Sequence, residues 1–206
     1  MAVSCIERSP NVSKSPQGGL FSRLLFTFRN KVKVQSGNII NIASSTRIRQ
    51  CHISIKGKGN TLTVEDGANL RGVQIELNGN NCSLTIGKYS VIGEGCYLSA
   101  RENGTTLSIG ENCMFSRNVK VMTSDGHDIL SANKRINPAK SITIGKQVWL
   151  ADGVVVLKGS NIGEQSVVGI NAVVTHDVPT NSIAAGNPAR IIKSDISWDE
   201  NLTCSP

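Results

Sequence analysis

Read from Ile144 in sixes, the chain runs IGKQVW, LADGVV, VLKGSN, IGEQSV, VGINAV, VTHDVP. The first position is aliphatic every time: Ile144, Leu150, Val156, Ile162, Val168 and Val174. The fifth is small or β-branched every time: Val148, Val154, Ser160, Ser166, Ala172 and Val178. The second is usually small, and the third and fourth are mostly polar or Gly. Side chains alternate faces along a strand. An aliphatic residue at each sixth position therefore predicts one short strand per face of a prism. The Gly and polar pairs turn the corners. Three faces make a coil of about 18 residues, and stacked coils share one narrow aliphatic core.

The pattern continues upstream with looser spacing. Coils start at residues 42, 64, 86, 109, 144 and 162, in steps of 22, 22, 23, 35 and 18. The early coils thus hold four or five extra residues each, in the related stretches GKGNTLTV, NGNNCSLTI and ENGTTLSI. The step of 35 predicts a loop leaving the prism within about residues 123–140, and long irregular loops in compact domains are usually functional. Residues 1–35 do not fit the repeat. Within them GLFSRLLFTFRNKVKV mixes apolar and basic residues. It reads as a short amphipathic helix that caps the first coil, whose strand edges would otherwise be unpaired. Through residues 20–35 it is alternatively a docking surface for a membrane or a partner. The division is therefore a basic segment over 1–35, an all-β repeat domain over 36–190 and a tail over 191–206.

Composition supports this picture. The chain is 39% hydrophobic but only 4% aromatic, with 20 glycines, a stock suited to short stacked strands and tight turns. The net charge is +7. Residues 1–35 hold Arg8, Lys14, Arg23, Arg29, Lys31 and Lys33 against Glu7 alone, so most of the excess sits there. No aromatic-interleaved basic stripe or nucleic-acid motif accompanies it, so no nucleic-acid partner is expected. The six cysteines form no C-x-x-C and no zinc spacing, and read as small buried hydrophobes in a reducing compartment. The first twenty residues lack an apolar signal core. No apolar run reaches the roughly 20 residues of a membrane span. The expectation is a cytoplasmic protein without a transmembrane segment.

Three histidines are available for chemistry. His52 falls at a corner of an early coil, where a structural role is expected. His176 lies in THDVP at a corner of the last coil. His127 lies in the extruded loop, in TSDGHDIL, flanked by Ser124, Asp125 and Asp128. Imidazole changes protonation near neutral pH, which suits a general base acting on an alcohol. A neighbouring carboxylate would orient it. Trp149 is the other anomaly: Val148 and Leu150 point inward, so alternation turns Trp149 outward, as an interface or ligand-stacking residue. Val155, Leu157, Val167 and Val173 also point outward, which suggests a buried outer face and self-association. Lys158, Arg190 and Lys193 are cations near the final coils, either solvated or holding an anionic cofactor.

At these residues the chain resembles the hexapeptide-repeat acyltransferases, most of all the bacterial capsule and lipopolysaccharide O-acetyltransferases. SDGHDI at 124–129, the stretch from Ile142 through Asn187-Pro188-Ala189-Arg190 to Lys193, and ISW at 196–198 carry the likeness. It is sharp over about 105–198 and architectural over 36–104. The resemblance implies a left-handed parallel β-helix, an exception to the right-handed crossover rule, in a homotrimer with active sites between neighbouring prisms. It implies His127 as catalytic base and Trp149 as the wall of the acetyl-donor site. It implies acetyl-CoA as co-substrate, with Lys158, Thr175, Arg190 and Lys193 at the donor site, and a sugar hydroxyl as acceptor; Ser124, Asp125 and His176 are further candidates for cofactor contact, and no metal is expected. Two departures stand out: the usual W-I-G is Trp149-Leu150-Ala151, and the usual basic residue of the T-K-D turn is His176. The alternatives are transfer to a small acceptor, such as an amino sugar, amino acid or xenobiotic, and a non-catalytic module presenting TLT and SLT hydroxyl ladders. A metal-dependent hydratase needs about three converging imidazoles, and the histidines are too scattered for it.

Overall fold

The computed structural model describes residues 26–201; Cys5, Cys204 and residues 20–25 of the helix expected over 20–35 lie outside them. Coil 1 holds β1 (Lys31–Val34), β2 (Ile39–Ile42) and β3 (Arg47–Arg49). Coil 2 holds β4 (His52–Lys56), β5 (Thr61–Val64) and β6 (Asn69–Arg71). Coil 3 holds β7 (Gln74–Asn78), β8 (Ser83–Ile86) and β9 (Val91–Ile92). Coil 4 holds β10 (Tyr97–Arg101), β11 (Thr106–Ile109) and β12 (Met114–Phe115). Coil 5 opens with β13 (Lys120–Met122), carries a loop hairpin of β14 (Leu130–Ser131) and β15 (Lys134–Arg135), and closes with β16 (Ile142–Ile144) and β17 (Trp149–Leu150). Coil 6 holds β18 (Val155–Leu157), β19 (Asn161–Ile162) and β20 (Val167–Val168). Coil 7 holds β21 (Val173–Val174) and β22 (Ile183–Ala185), and β23 (Arg190–Lys193) ends the strands.

First, second and third strands of successive coils stack into three sheets, here sheets 1, 2 and 3. Every pairing between coils is parallel. The result is a left-handed parallel β-helix of about seven turns. The coil starts read from the sequence are one register column: Ile42, Val64, Ile86, Ile109, Ile144 and Ile162 pair in succession. All twelve first- and fifth-position residues from Ile144 to Val178 are buried. The fourth position turns the corner in the left-handed region, at Gln147, Gly153, Gly159, Gln165 and Asn171. Some second positions demand Gly because the next coil's backbone presses on them. A Cβ on Gly163 would meet the Thr180 nitrogen at 2.3 Å.

The extra residues of the early coils lengthen sheets 1 and 2 and fill the corner between them. β4 and β5 span five and four residues, where β18 and β19 span three and two. Two details depart from expectation. Among the described residues the helix covers 26–29, and strand pairing begins at Lys31 rather than after residue 35. The reason is the two-residue alternation in KVKV, whose Val32 and Val34 pack against the core. His52 is not at a corner but exposed on the outer face of β4. At the far end β23 pairs antiparallel with β22 and closes sheet 3. Cys51, Cys82, Cys96 and Cys113 are buried free thiols. Among the described residues no helix is long and apolar enough to cross a membrane.

Candidate active site

The chain leaves sheet 1 after Met122 and returns at Lys140, whose N–H donates to the Thr123 carbonyl at 3.0 Å. Between them the loop has almost no apolar core: Ile129, Leu130 and Ile136 are exposed. Polar bonds hold it instead. Glu102, at the same corner one coil earlier, accepts from Ser124 Oγ at 2.6 Å and from Arg135 at 2.7 Å. The Arg135 guanidinium and the Ser124 hydroxyl hold the Glu102 carboxyl down to about 2. Arg135 also reaches Asp128 at 3.0 Å. Asn137 is buried at the loop's centre. Its amide donates to Asp125 and to the His127 carbonyl, each at 2.8 Å, and accepts from the Ile129 N–H at 2.7 Å. Lys158, one coil further on, pairs with Asp125 and donates to the Asn137 carbonyl at 2.9 Å. That ammonium lowers the Asp125 carboxyl below its ordinary value.

His127 is thus fixed through its backbone while its imidazole stands exposed. No side chain among the described residues hydrogen-bonds that ring. This corrects the expectation of an orienting carboxylate from the same loop: Asp125 is engaged by Lys158 and Asn137, and Asp128 by Arg135. Ser124, Asp125 and Lys158, all candidates for cofactor contact, are bonded here as loop supports. Thr175 and His176 reach the same corner from coil 7, since β21 pairs with β18 and both residues follow it directly. Thr175 Oγ1 and His176 Nδ1 lie 2.8 Å apart. One corner, between sheets 1 and 2, therefore collects His127, Lys158, Thr175 and His176 from three successive coils. Arg190 and Lys193 lie elsewhere, exposed on β23. The Gly186–Ala189 turn brackets Val173, giving its carbonyl to the Val173 N–H at 3.0 Å and taking the Val173 carbonyl at 2.8 Å.

Trp149 is on sheet 3, outward as expected. Its indole N–H donates to Ser116 Oγ at 3.3 Å. Its ring meets Trp198, with centroids 5.8 Å apart and planes tilted by 44°. The tail reaches it by folding back along the corner between sheets 2 and 3. Ile196 N–H donates to the Asn181 carbonyl at 2.9 Å, and Asn181 Nδ2 returns a bond at 3.0 Å. The Trp198 indole donates to the Gln147 carbonyl at 2.7 Å, and Gln147 Nε2 to the Trp198 carbonyl at 3.3 Å. Glu102, Arg135, Asn137 and the role of Trp198 are not visible in the repeat. In the sequence only the second tryptophan of the chain, in ISW at 196–198, marks one of them.

In a triangular prism the corner between sheets 1 and 2 lies opposite the face of sheet 3. His127 and Trp149 therefore point away from one another in one prism. Among the described residues no cluster of three or more His, Cys, Asp or Glu is placed to hold a metal.

No family model matches the chain. Over 137 residues it is 34% identical to a polysialic acid O-acetyltransferase of Escherichia coli O1:K1, covering 66% of this chain and 43% of that one. Over 90 residues it is 38% identical to the galactoside O-acetyltransferase of Escherichia coli K12, covering 43% and 44%. The chain thus spans less than half the length of these two relatives. The crystal structure of the polysialic-acid-specific acetyltransferase NeuO superposes with a TM-score of 0.72 at 30% identity, covering 87% of this chain and 93% of that one.

Proposed function

The chain belongs to the hexapeptide-repeat acetyltransferases of the polysaccharide O-acetyltransferase type, and on that premise we propose that it moves acetyl from acetyl-CoA to a sugar hydroxyl of a bacterial surface polysaccharide or its precursor. The observation that carries this is the loop: a network of charged bonds fixes the His127 backbone and leaves the imidazole free. His127 takes the hydroxyl proton as the sugar oxygen attacks the thioester carbonyl. The C–S bond breaks, the new ester forms, and the imidazolium returns the proton to the departing thiolate. No acetyl-enzyme intervenes. Alignment of the two substrates supplies much of the rate. Half-buried Thr175 and exposed His176, Arg190 and Lys193 suit the phosphates and pantetheine of the donor.

The opposition of the His127 corner and the Trp149 face has a consequence. A site using both needs the loop of one prism against sheet 3 of another. A homotrimer satisfies this by rotation, each corner meeting the next subunit's face. The half-buried outward residues Val155, Leu157, Val167 and Val173 suit such contacts. Sedimentation tests the assembly: a monomer at assay concentration would sink it. Acetyl-CoA consumption over a panel of sugars tests the activity. His127→Ala is expected to lose about 10²–10⁴-fold in turnover, with coenzyme A binding by calorimetry unchanged. Wild-type turnover in that variant would refute the base assignment.

A further inference from the structure

Three arginines stand around one groove at the N-terminal end of the prism, far from the His127 loop. A cavity of about 580 Å³ is lined by Phe28, Arg29, Arg49, Gln50 and Arg71. Arg49 and Arg71 pair in register on β3 and β6, so their Cα atoms sit one rung apart, about 4.8 Å. Arg29 is one coil further out, its carbonyl accepting the Gln50 N–H at 2.9 Å. No carboxylate among the described residues lies within ion-pair distance of any of the three. Arg71 has only a 3.4 Å contact to Gln50. Three like charges so close repel one another and are a cost to the fold unless something anionic joins them. Phe28, at 90% exposure, adds an aromatic wall.

Arg49 and Arg71 are exposed on the outer side of sheet 3, one buried residue past the column that carries Trp149, where the chain turns toward sheet 1 at Gln50. On sheet 3 the outward column runs Arg47, Asn69, Val91, Met114, Trp149 in unbroken register. Arg71 is three rungs from Trp149, about 14 Å along the prism. Between them Val91 is exposed and Met114 half-buried, an apolar path suited to the non-polar faces of sugar rings.

We infer that the Arg29–Arg49–Arg71 groove is a carboxylate-binding subsite that grips an acidic glycan chain a few sugar units from the one being acetylated. The inference rests on the acetyl-transfer reading for its purpose, but not for its binding chemistry. Guanidinium forks take carboxylates bidentately. The open groove admits a chain passing through, so affinity grows with chain length. A carboxylate in the groove is thus held while the hydroxyl to be modified reaches the Trp149 end of the face.

The test is calorimetry of the full chain, without acetyl-CoA, against polysialic acid fragments of graded length. The same fragments with reduced carboxyl groups, and pyrophosphate, are the control arms. Fragments long enough to cross the face are expected to bind at least tenfold more tightly than single sugars, and than their reduced forms. Arg49→Gln with Arg71→Gln should remove that advantage and flatten the salt dependence, with a thermal midpoint at or above that of the parent because both side chains are exposed and their mutual repulsion is relieved. Equal binding of native and reduced fragments would overturn the proposal, as would wild-type affinity in the double variant. Pyrophosphate binding that is lost in the variant, with no fragment binding, would make the groove a phosphate site instead. Binding that follows the prediction while no acetyl transfer occurs would refute the enzymatic reading and leave the subsite standing.

Discussion

In coil 6 the inward side chains Val154, Val156, Ser160 and Ile162 are all buried, and the corners are closed by backbone bonds such as Gly153 N–H to the Arg117 carbonyl at 2.8 Å. One coil earlier, residues 123–140 show the opposite economy. Their aliphatic residues are exposed, and Glu102, Asp125, Asn137, Arg135 and Lys158 hold them by side-chain bonds. The wall is stabilised by burial, which is non-directional and repeats with the coil. The loop is stabilised by directional bonds that occur once. The wall can therefore change residues of similar size and keep its shape, whereas the loop places one imidazole and depends on particular partners.

The sharpest way to break this comparison is in the wall. Leu150→Ala removes a fully buried side chain beside Trp149, and should cost about 2–5 kcal/mol of stability. Chemical denaturation measures it. A loss under 1 kcal/mol would mean the wall is looser than its burial indicates.

The next prediction crosses to the loop. Glu102→Gln keeps the shape but weakens the charge that Arg135 and Ser124 share. Partly exposed ion pairs contribute up to about 1 kcal/mol to stability, so unfolding should barely move. Turnover should fall by about tenfold or more, since a displacement near 1 Å can cost about 10²-fold. The coenzyme A dissociation constant should stay as it was. A variant that melts early but turns over normally would reverse the comparison.

This contrast also explains what the sequence discloses. Burial leaves a periodic trace, so Ile42, Val64, Ile86, Ile109, Ile144 and Ile162 declare the coils, and the broken step declares the loop. Directional bonds leave no period. Glu102 sits in an ENG corner that resembles its neighbours, and its partners Ser124 and Arg135 are 22 and 33 residues away. Lys158 reads equally as a phosphate ligand or a loop support, and only the geometry beside Asp125 separates the two. His127 was legible because it lies where the repeat fails; an orienting carboxylate was not, because Asp125 and Asp128 have closer claims on them. KVKV is hard to tell from the end of a helix in the sequence because its two-residue alternation spans only four positions.

Trp198→Ala tests whether the tail positions Trp149 or merely lies on it. The ring pair contributes about 0.5–1.5 kcal/mol beyond area burial. The expected result is a several-fold rise in the acetyl-CoA KM with kcat less affected, and a blue-to-red shift in Trp149 fluorescence as solvent reaches the ring. Trp198→Phe should restore most of it. An unchanged KM would leave the tail a purely structural strap.

Acid gives the mildest separation of loop and wall. The Glu102 carboxyl is held down to about 2 by Arg135 and Ser124, from an ordinary 4.5. A depressed folded value means its contribution is complete above about pH 4.5 and is lost as pH falls toward 2. Asp125 is shifted the same way by Lys158. No aspartate or glutamate among the described residues is buried in the wall; Asp152, held below its ordinary value by Arg117, sits at a corner outside the core, so acid touches that corner and not the buried strands. Hydrogen exchange, corrected for intrinsic rates, should therefore show the Ile129 and Ile136 amides losing protection between pH 4.5 and 2. Val156 and Val168 should keep theirs over the same range. The loss should be reversible and should shrink in Glu102→Gln, where only the Asp125 carboxyl is left to gain a proton. Simultaneous loss in loop and wall would show that the two regions unfold as one unit, and that the loop's charged bonds support the prism as well as His127.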